Sequence, residues 1–311
     1  MSLLISLVIP AFNEEKNVVA ITKAIQDVFN DDRFKYEIIF IDDGSKDNTA
    51  TVLKQLALEQ SEVKYILFSR NFGKDNALSA GLKKASGKAI ITLDADLQHP
   101  PSLIKSMLSL WLEGNDVVYA FREEKNKHTS SINNLSSSIF YKTINSLSDI
   151  ELEDGTADFR LLDRKVVNVL NALPENDPFY RGLVKWVGFS QKSIPYTPAE
   201  RFAGESKYNK KELTRLALKG ITSFSTKPLN IAIYLGFIFS LLSLLYIPYA
   251  IVSYFNNWAI SGWTSVIVTI AFFGGLQLMI LGIIGLYLGK LFMQSKNRPH
   301  YIIKETNITN D

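Results

Sequence analysis

The sequence predicts an α/β protein, a mostly parallel sheet covered by helices on both faces, followed by a two-helix transmembrane hairpin. Three observations predict it. Short apolar, β-branched runs alternate with helical patterns from Ser2 to about Phe121. The most distinctive polar clusters all follow those apolar runs. From Pro228 to Gly289 there is no Asp, Glu, Lys or Arg in 62 consecutive residues.

The strand runs are "LLISLVI" (Leu3 to Ile9), "YEIIFI" (Tyr36 to Ile41), "VKYILF" (Val63 to Phe68), "AIITL" (Ala89 to Leu93) and "DVVYAF" (Asp116 to Phe121). Their length and branching suit strands buried on both faces. In the first intervening helix Val18, Ile21, Ile25, Val28 and Phe29 recur at three- and four-residue spacing and make one apolar face. Regular strand–helix alternation implies a parallel sheet. With 47% apolar and 21% charged residues in 311, the chain is globular in composition. It contains no cysteine, which excludes disulfides and thiolate metal sites and fits a reducing compartment. A net charge of +3 is too small to make nucleic acid the expected partner.

Within the uncharged stretch, Leu229 to Phe255 and Trp263 to Leu288 each exceed the roughly 20 residues that cross about 30 Å of hydrocarbon. Lys219 and Lys227 precede the pair, and Lys290, Lys296 and Arg298 follow it. The positive-inside bias puts both flanks in the cytosol. The opening "MSLLISLVIPAFNEE" lacks the basic start of a secretory signal, so residues 1–208 are expected as a cytosolic domain. Residues 209–227 read as a juxtamembrane amphipathic helix, with Leu213, Leu216, Ala217 and Ile221 on one face and Lys210, Lys211, Arg215 and Lys219 for anionic head groups. Residues 290–311 read as a cytosolic tail. Gly274, Gly275, Gly282 and Gly285 would allow close helix packing and a homo-oligomer.

The polar clusters are "PAFNEE" after the first strand, "DDGSKDNT" after the second, "SRNFGKDNA" after the third and "DADLQ" after the fourth. Singly, each fits helix caps and turns. Together they converge on the carboxyl edge of a parallel sheet, where ligands bind. Asp94 and Asp96 put two carboxylates on the same side of an extended chain, and Gln98 continues that side. Such hard oxygen donors suit Mg²⁺ or Mn²⁺ bound to a diphosphate. His99 could join these ligands, but ahead of Pro100 and Pro101 a turn role is the expected one.

"VIPAFNEE", "IDDGSKDNT", "SRNFGKDNAL", "LDADLQHP", "ADFRLLDR" and "RFAGESKY", in this order and ahead of a membrane hairpin, resemble the non-processive, lipid-linked branch of glycosyltransferase family two. That branch includes bactoprenol glucosyltransferases and dolichol-phosphate mannose synthases. The resemblance runs from Val8 to about Arg298. It implies a Rossmann-like GT-A domain, a nucleotide-sugar donor with UDP-glucose favoured, a divalent metal and a polyprenyl phosphate acceptor, at the inner membrane and in the service of cell-envelope glycans. Carried over, Pro10, Asn13, Glu14 and Asp42 would line the nucleotide pocket, Arg70 and Lys74 would join the donor site, and Asp94 would lie near ribose or sugar. Asp96 and Gln98 would bind metal. Arg122, Arg160, Arg201, Ser206 and Lys207 would meet phosphate groups, and Asp158 would be the catalytic carboxylate, with Asp94 as a second catalytic residue. Relatives often carry a further arginine shortly after Arg122; here "REEKNK" offers only Lys125 or Lys127, point charges instead of a fork.

The chemistry follows without the name. A divalent cation stabilises the charge that develops on a departing nucleoside diphosphate, and in-line attack from the opposite face inverts the anomeric centre. A hydroxyl acceptor needs a base. A phosphate monoester is already mostly dianionic at neutral pH, which leaves Asp158 to position as much as to remove a proton. Two other readings compete: a membrane glycosyltransferase using a soluble hydroxyl acceptor, and a non-catalytic scaffold that binds sugar nucleotide.

Overall fold

The computed structural model describes residues 3–30, 33–122, 155–175, 178–197, 220–256 and 262–309. The order is β1 (Leu3–Ala11), α1 (Val18–Phe29), β2 (Phe34–Asp42), α2 (Thr49–Glu59), β3 (Val63–Phe68), α3 (Lys74–Lys84), β4 (Ala89–Thr92), α4 (Leu103–Leu112) and β5 (Val117–Arg122). After these come β6 (Thr156–Asp163), α5 (Arg164–Ala172), α6 (Tyr180–Trp186), β7 (Gln191–Tyr196), α7 (Lys227–Phe255), α8 (Trp263–Ser295) and β8 (Ile303–Thr306).

One eight-stranded sheet runs β7-β5-β6-β4-β1-β2-β3-β8. The first four strands pair in parallel, β4 with β1, β1 with β2 and β2 with β3. Leu7, Ile9, Ile38 and Phe40 turn to one apolar layer with Ile21 and Ile25 of α1, while Val8, Ile39 and Ile41 turn to the other with Ala77 and Leu82 of α3. All-round burial of this kind is why these strands read as unbroken apolar runs.

The sheet departs from the parallel expectation at both ends. β6 enters antiparallel between β4 and β5, so the fifth run is not the neighbour of the fourth. β8, from the tail that follows the apolar helices, pairs antiparallel with β3 and forms the sheet's edge. The tail is therefore built into the domain.

Among the described residues, one helical stretch, Val266–Ser295, is long and apolar enough to cross a membrane, with a mean hydropathy of 2.3. α7 spans 29 residues, and its Lys227–Leu242 part is a shorter apolar helix. Ile233, Phe237, Leu278 and Leu288 are all more than 60% exposed, an apolar surface that water does not favour. Phe239 of α7 meets Phe272 and Phe273 of α8 edge-on, with ring centroids 5.8 and 5.6 Å apart. At the domain end, Tyr287 donates to the Ser225 carbonyl at 2.8 Å and Lys290 to the Ser223 hydroxyl at 3.1 Å. Most of the expected juxtamembrane helix, residues 209–219, lies outside the described residues.

Candidate active site

The carboxyl ends of β1 to β4 are locked to one another by the polar clusters. Pro10 and Ala11 lie opposite Ile41 and Asp42. Asn13 then takes a left-handed backbone, φ 56°, a conformation that Asn tolerates better than most residues. Its N–H donates to the Ser45 hydroxyl at 2.8 Å, and its side-chain oxygen accepts the Lys46 N–H at 2.8 Å. The Glu14 N–H donates to Thr49 Oγ1 at 2.9 Å. The Asp42 carboxylate accepts the Ser45 N–H at 3.2 Å, and burial pushes its pKa up.

The next lock joins the second cluster to the third. Asp43 accepts the N–H groups of Phe72 and Gly73, one on each oxygen, at 2.6 and 2.9 Å. Gly44 passes so close to the third cluster that a Cβ there would lie 2.4 Å from the Arg70 carbonyl carbon. Arg70 itself is exposed, its guanidinium 4.0 Å above the Phe72 ring. The turn chemistry legible in these clusters is real, and it ties the loops of this edge to one another.

Lys74 opens α3 and reaches across the edge. Its Nζ lies 2.5 Å from Asp94 Oδ1 and 2.9 Å from Asp158 Oδ2. Asp158 arrives on β6, beside β4, where Thr92 Oγ1 donates to its backbone carbonyl at 2.8 Å. Two-residue alternation puts Asp158 and Arg160 on one face of β6 and turns Phe159 into the opposite layer. Arg160 is 6% exposed, with Nε donating to the Ala157 carbonyl at 3.3 Å and an Nη to that of Arg181 at 3.5 Å. Burial lowers its pKa to about 10, against the pull of Asp158.

Arg181, which the sequence motifs do not include, completes the group. From α6 its Nε meets Asp158 Oδ1 at 3.2 Å and its Nη2 meets Oδ2 at 3.0 Å. Burial alone would raise the Asp158 pKa, but Arg181, Lys74 and Arg160 together hold it well below the usual carboxylate range. For Lys74, Asp158 and Asp94 outweigh burial and raise the pKa. Asp158 is thus an ionised carboxylate with both oxygens engaged by cations. A signal for Arg181 was present in "FYRGLVKW", where it and Lys185 are the two cations of an otherwise apolar segment, but its partner is set by the fold.

Beyond β4 the chain turns sharply, with Leu97 at φ 60°, and the Gln98 N–H donates to Asp96 Oδ1 at 3.2 Å. A left-handed leucine is costly and persists only where the surrounding structure holds it. Asp96 and Gln98 thus sit together at this turn, and among the described residues there is no group of three or more His, Cys, Asp or Glu that could hold a metal ion. His99 lies at a bend just before Pro100. Its ring is buried, stacked on Phe159 at 5.5 Å and edge-on to Tyr196 at 5.7 Å. Its Nδ1 lies 3.9 Å from Asp94 Oδ2 and makes no hydrogen bond, and burial lowers its pKa despite Asp94. Arg122 ends β5 on the same edge, opposite Tyr196 of β7. Arg201, Ser206, Lys207, Lys125 and Lys127 lie outside the described residues.

An α/β sheet whose carboxyl edge gathers two carboxylates, a lysine that bridges them and close-packed turn loops belongs to the class of α/β proteins that bind a ligand at that edge. Residues 6–170 match the model of glycosyl transferase family 2, and the chain belongs to that family: it is a glycosyltransferase. CsbB of Bacillus subtilis, whose name assigns it to the glycosyltransferases, is 44% identical over 308 residues, covering 99% of this chain and 93% of that one. The bactoprenol glucosyl transferase of Shigella phage SfII is 40% identical over 305 residues, covering 97% of this chain and 98% of that one. Among solved structures, glucosyl-3-phosphoglycerate synthase of Mycobacterium tuberculosis, in complex with Mn²⁺, UDP-glucose and phosphoglyceric acid, aligns at 21% identity over 71% of this chain and 78% of that one. Its TM-score of 0.45 is too low to bear on the site.

Proposed function

We propose that the protein transfers a hexose, with UDP-glucose the favoured donor, to polyprenyl phosphate at the cytosolic face of a membrane, inverting the anomeric centre. The observation that carries this reading is the position of α6. Its Arg181 holds Asp158, and its next residue, Gly182, packs against Phe224 at the root of α7. The catalytic edge therefore adjoins the point where the chain enters its apolar helices. An acceptor whose phosphate stays at the bilayer surface would need that proximity, and a soluble hydroxyl would not. The name of the phage relative supports a glucosyl group and a bactoprenol carrier.

The tail supports a reading with two spans. The chain leaves the domain through α7 and returns after α8 to add β8 to the same sheet. If α8 crosses the bilayer, α7 must cross it too, and both flanks lie on the side of the domain. This supports the hairpin, and the lysines and arginine flanking it support a cytosolic domain.

The chain's own residues divide the work. Asn13, Glu14 and Asp42 shape the nucleotide pocket with Pro10, and Arg70 and Lys74 meet the donor. Asp96 and Gln98 would hold Mg²⁺ or Mn²⁺, which supplies charge neutralisation for the departing diphosphate. Asp158, kept ionised by Arg181, orients sugar and acceptor, and a phosphate monoester attacks as an anion without needing a base. Arg122, Arg201, Ser206 and Lys207 receive its charge. The test is transfer from labelled UDP- and GDP-sugars to polyprenyl phosphate in membranes, with Mg²⁺, Mn²⁺ or EDTA, beside Asp96→Ala. Metal-dependent label in the organic phase, lost in the variant, is expected. Label confined to water-soluble glycan, or none from any donor, would overturn the lipid acceptor.

A further inference from the structure

The residues after α8 do more than leave the membrane. Tyr301 stacks on Phe68, the last residue of β3, with ring centroids 5.0 Å apart and planes at 11°. Phe68 in turn meets Phe72 edge-on at 5.7 Å and 89°. Phe72 carries the Arg70 guanidinium on its face at 4.0 Å. Between these rings the Ser69 N–H donates to the Ile302 carbonyl at 3.0 Å. A continuous ladder thus runs from the tail, across the end of β3, to the loop that carries Arg70 and Lys74. Each step has a defined aromatic geometry, so the loop's position depends on the ring at its base.

We infer that the C-terminal tail, through Tyr301, is a positioning element for the donor loop between β3 and α3. This rests on the reading above that Arg70 and Lys74 serve the donor. The tail is held in register at its far end by separate bonds. The Tyr65 N–H donates to the Asn307 side-chain oxygen at 2.7 Å, and Asn307 Nδ2 donates to the Val63 carbonyl at 3.4 Å. The consequence is mechanical. The segment that emerges from α8 presses on the catalytic edge, and the donor loop of residues 69–73 is set from the membrane side as well as from Asp43.

Three variants of the full chain in detergent or membranes test it. Tyr301→Leu keeps an apolar side chain but removes the stacked face, Tyr301→Phe keeps the face, and Asn307→Ala loosens the tail away from the ladder. In hydrogen exchange, the amides of Phe72 and Gly73 should exchange about tenfold faster in Tyr301→Leu, through local opening. Tyr301→Phe should restore protection, and Asn307→Ala should leave it at the wild-type level. With UDP-glucose as the assayed donor, Tyr301→Leu should raise the donor KM by about tenfold with kcat little changed, since misplaced positioning groups weaken productive binding. Unchanged exchange in Tyr301→Leu, or equal acceleration in Asn307→Ala, overturns the inference. A wild-type chain that transfers no sugar from UDP-glucose counts against the donor assignment instead, and the exchange result still decides the coupling.

Discussion

Arg181 and Asp158 form a two-pronged pair, Nε to Oδ1 at 3.2 Å and Nη2 to Oδ2 at 3.0 Å, that joins the short helix α6 to strand β6. Fork-to-carboxylate geometry fixes direction as well as charge. Arg181→Lys keeps the charge and loses the fork, so kcat should fall by about tenfold to a hundredfold while the fold survives. Arg181→Ala should fall further. Asp158→Asn, which keeps the shape but not the charge, should abolish nearly all transfer. Steady-state kinetics with circular dichroism as a folding control checks all three, and near-wild-type turnover of Asp158→Asn would remove the carboxylate from the mechanism.

Gly44 has φ 69°, and a Cβ on it would lie 2.4 Å from the Arg70 backbone. Unlike a flexible side chain, that backbone is held, through the Phe72 and Gly73 bonds to Asp43. Gly44→Ala should therefore destabilise the domain by about 1–3 kcal/mol through strain and also push the donor loop away. Thermal melting with donor-binding isotherms should show both losses. A variant that binds UDP-glucose as tightly as wild type would show that the loop's position is not set there.

How much of this was legible in the sequence depends on where each partner lies. β1 to β4 were readable because two-sided burial leaves unbroken β-branched runs, and α1 because its apolar face repeats locally. The turn clusters were readable because Asn, Asp and Gly announce their own backbone geometry. β6 was hidden, since "TADFRLLD" places Asp158 and Arg160 on one face and reads as polar until the site is known. β8 was hidden because "IKET" has no apolar run, and its register comes from Val63 to Phe68, some 240 residues earlier. Arg181 and the burial of His99 belong to the same class: the residue is visible, but the partner that gives it meaning is supplied by the fold.

Gly182 is the contact through which the chain just ahead of α7 meets the helix that holds Asp158. A Cβ there would lie 2.5 Å from Phe224 Cε2 and 2.9 Å from Phe179 Cδ1. Both neighbours are side chains, so the clash is absorbed by moving rings, at about 1–3 kcal/mol for overpacking. Because Arg181 is the preceding residue, Gly182→Ala should lower kcat as well as stability. Adding Phe224→Leu should recover much of both, a coupling that a double-mutant cycle measures. Fully additive losses would separate Gly182 from the Phe224 contact.

A buried carboxylate far from the catalytic edge sets an acid limit on the fold. Glu37 of β2 accepts from the Ser6 hydroxyl at 2.5 Å and from the Ser86 N–H and hydroxyl at 2.8 Å each, and pairs with Lys64 at 2.6 Å. The Ser6 hydroxyl also accepts the Gly87 N–H at 2.7 Å, so this network ties β1, β2, β3 and the turn before β4 together. Burial alone would raise the Glu37 pKa, but Lys64, Ser6 and Ser86 outweigh it and hold it below the ordinary glutamate value. A carboxylate depressed in the folded state stabilises the protein above its unfolded pKa, and that contribution is lost as pH falls through the folded value. Wild-type stability should therefore decline below about pH 4.3, the ordinary glutamate value. Glu37→Gln cannot ionise and breaks charge-assisted bonds, at about 1–3 kcal/mol. It should be less stable than wild type at pH 7 and should lose less of its stability on acidification. Urea midpoints at pH 7 and in the acid range decide it: two parallel curves would mean that Glu37 is not the group whose protonation loosens the sheet.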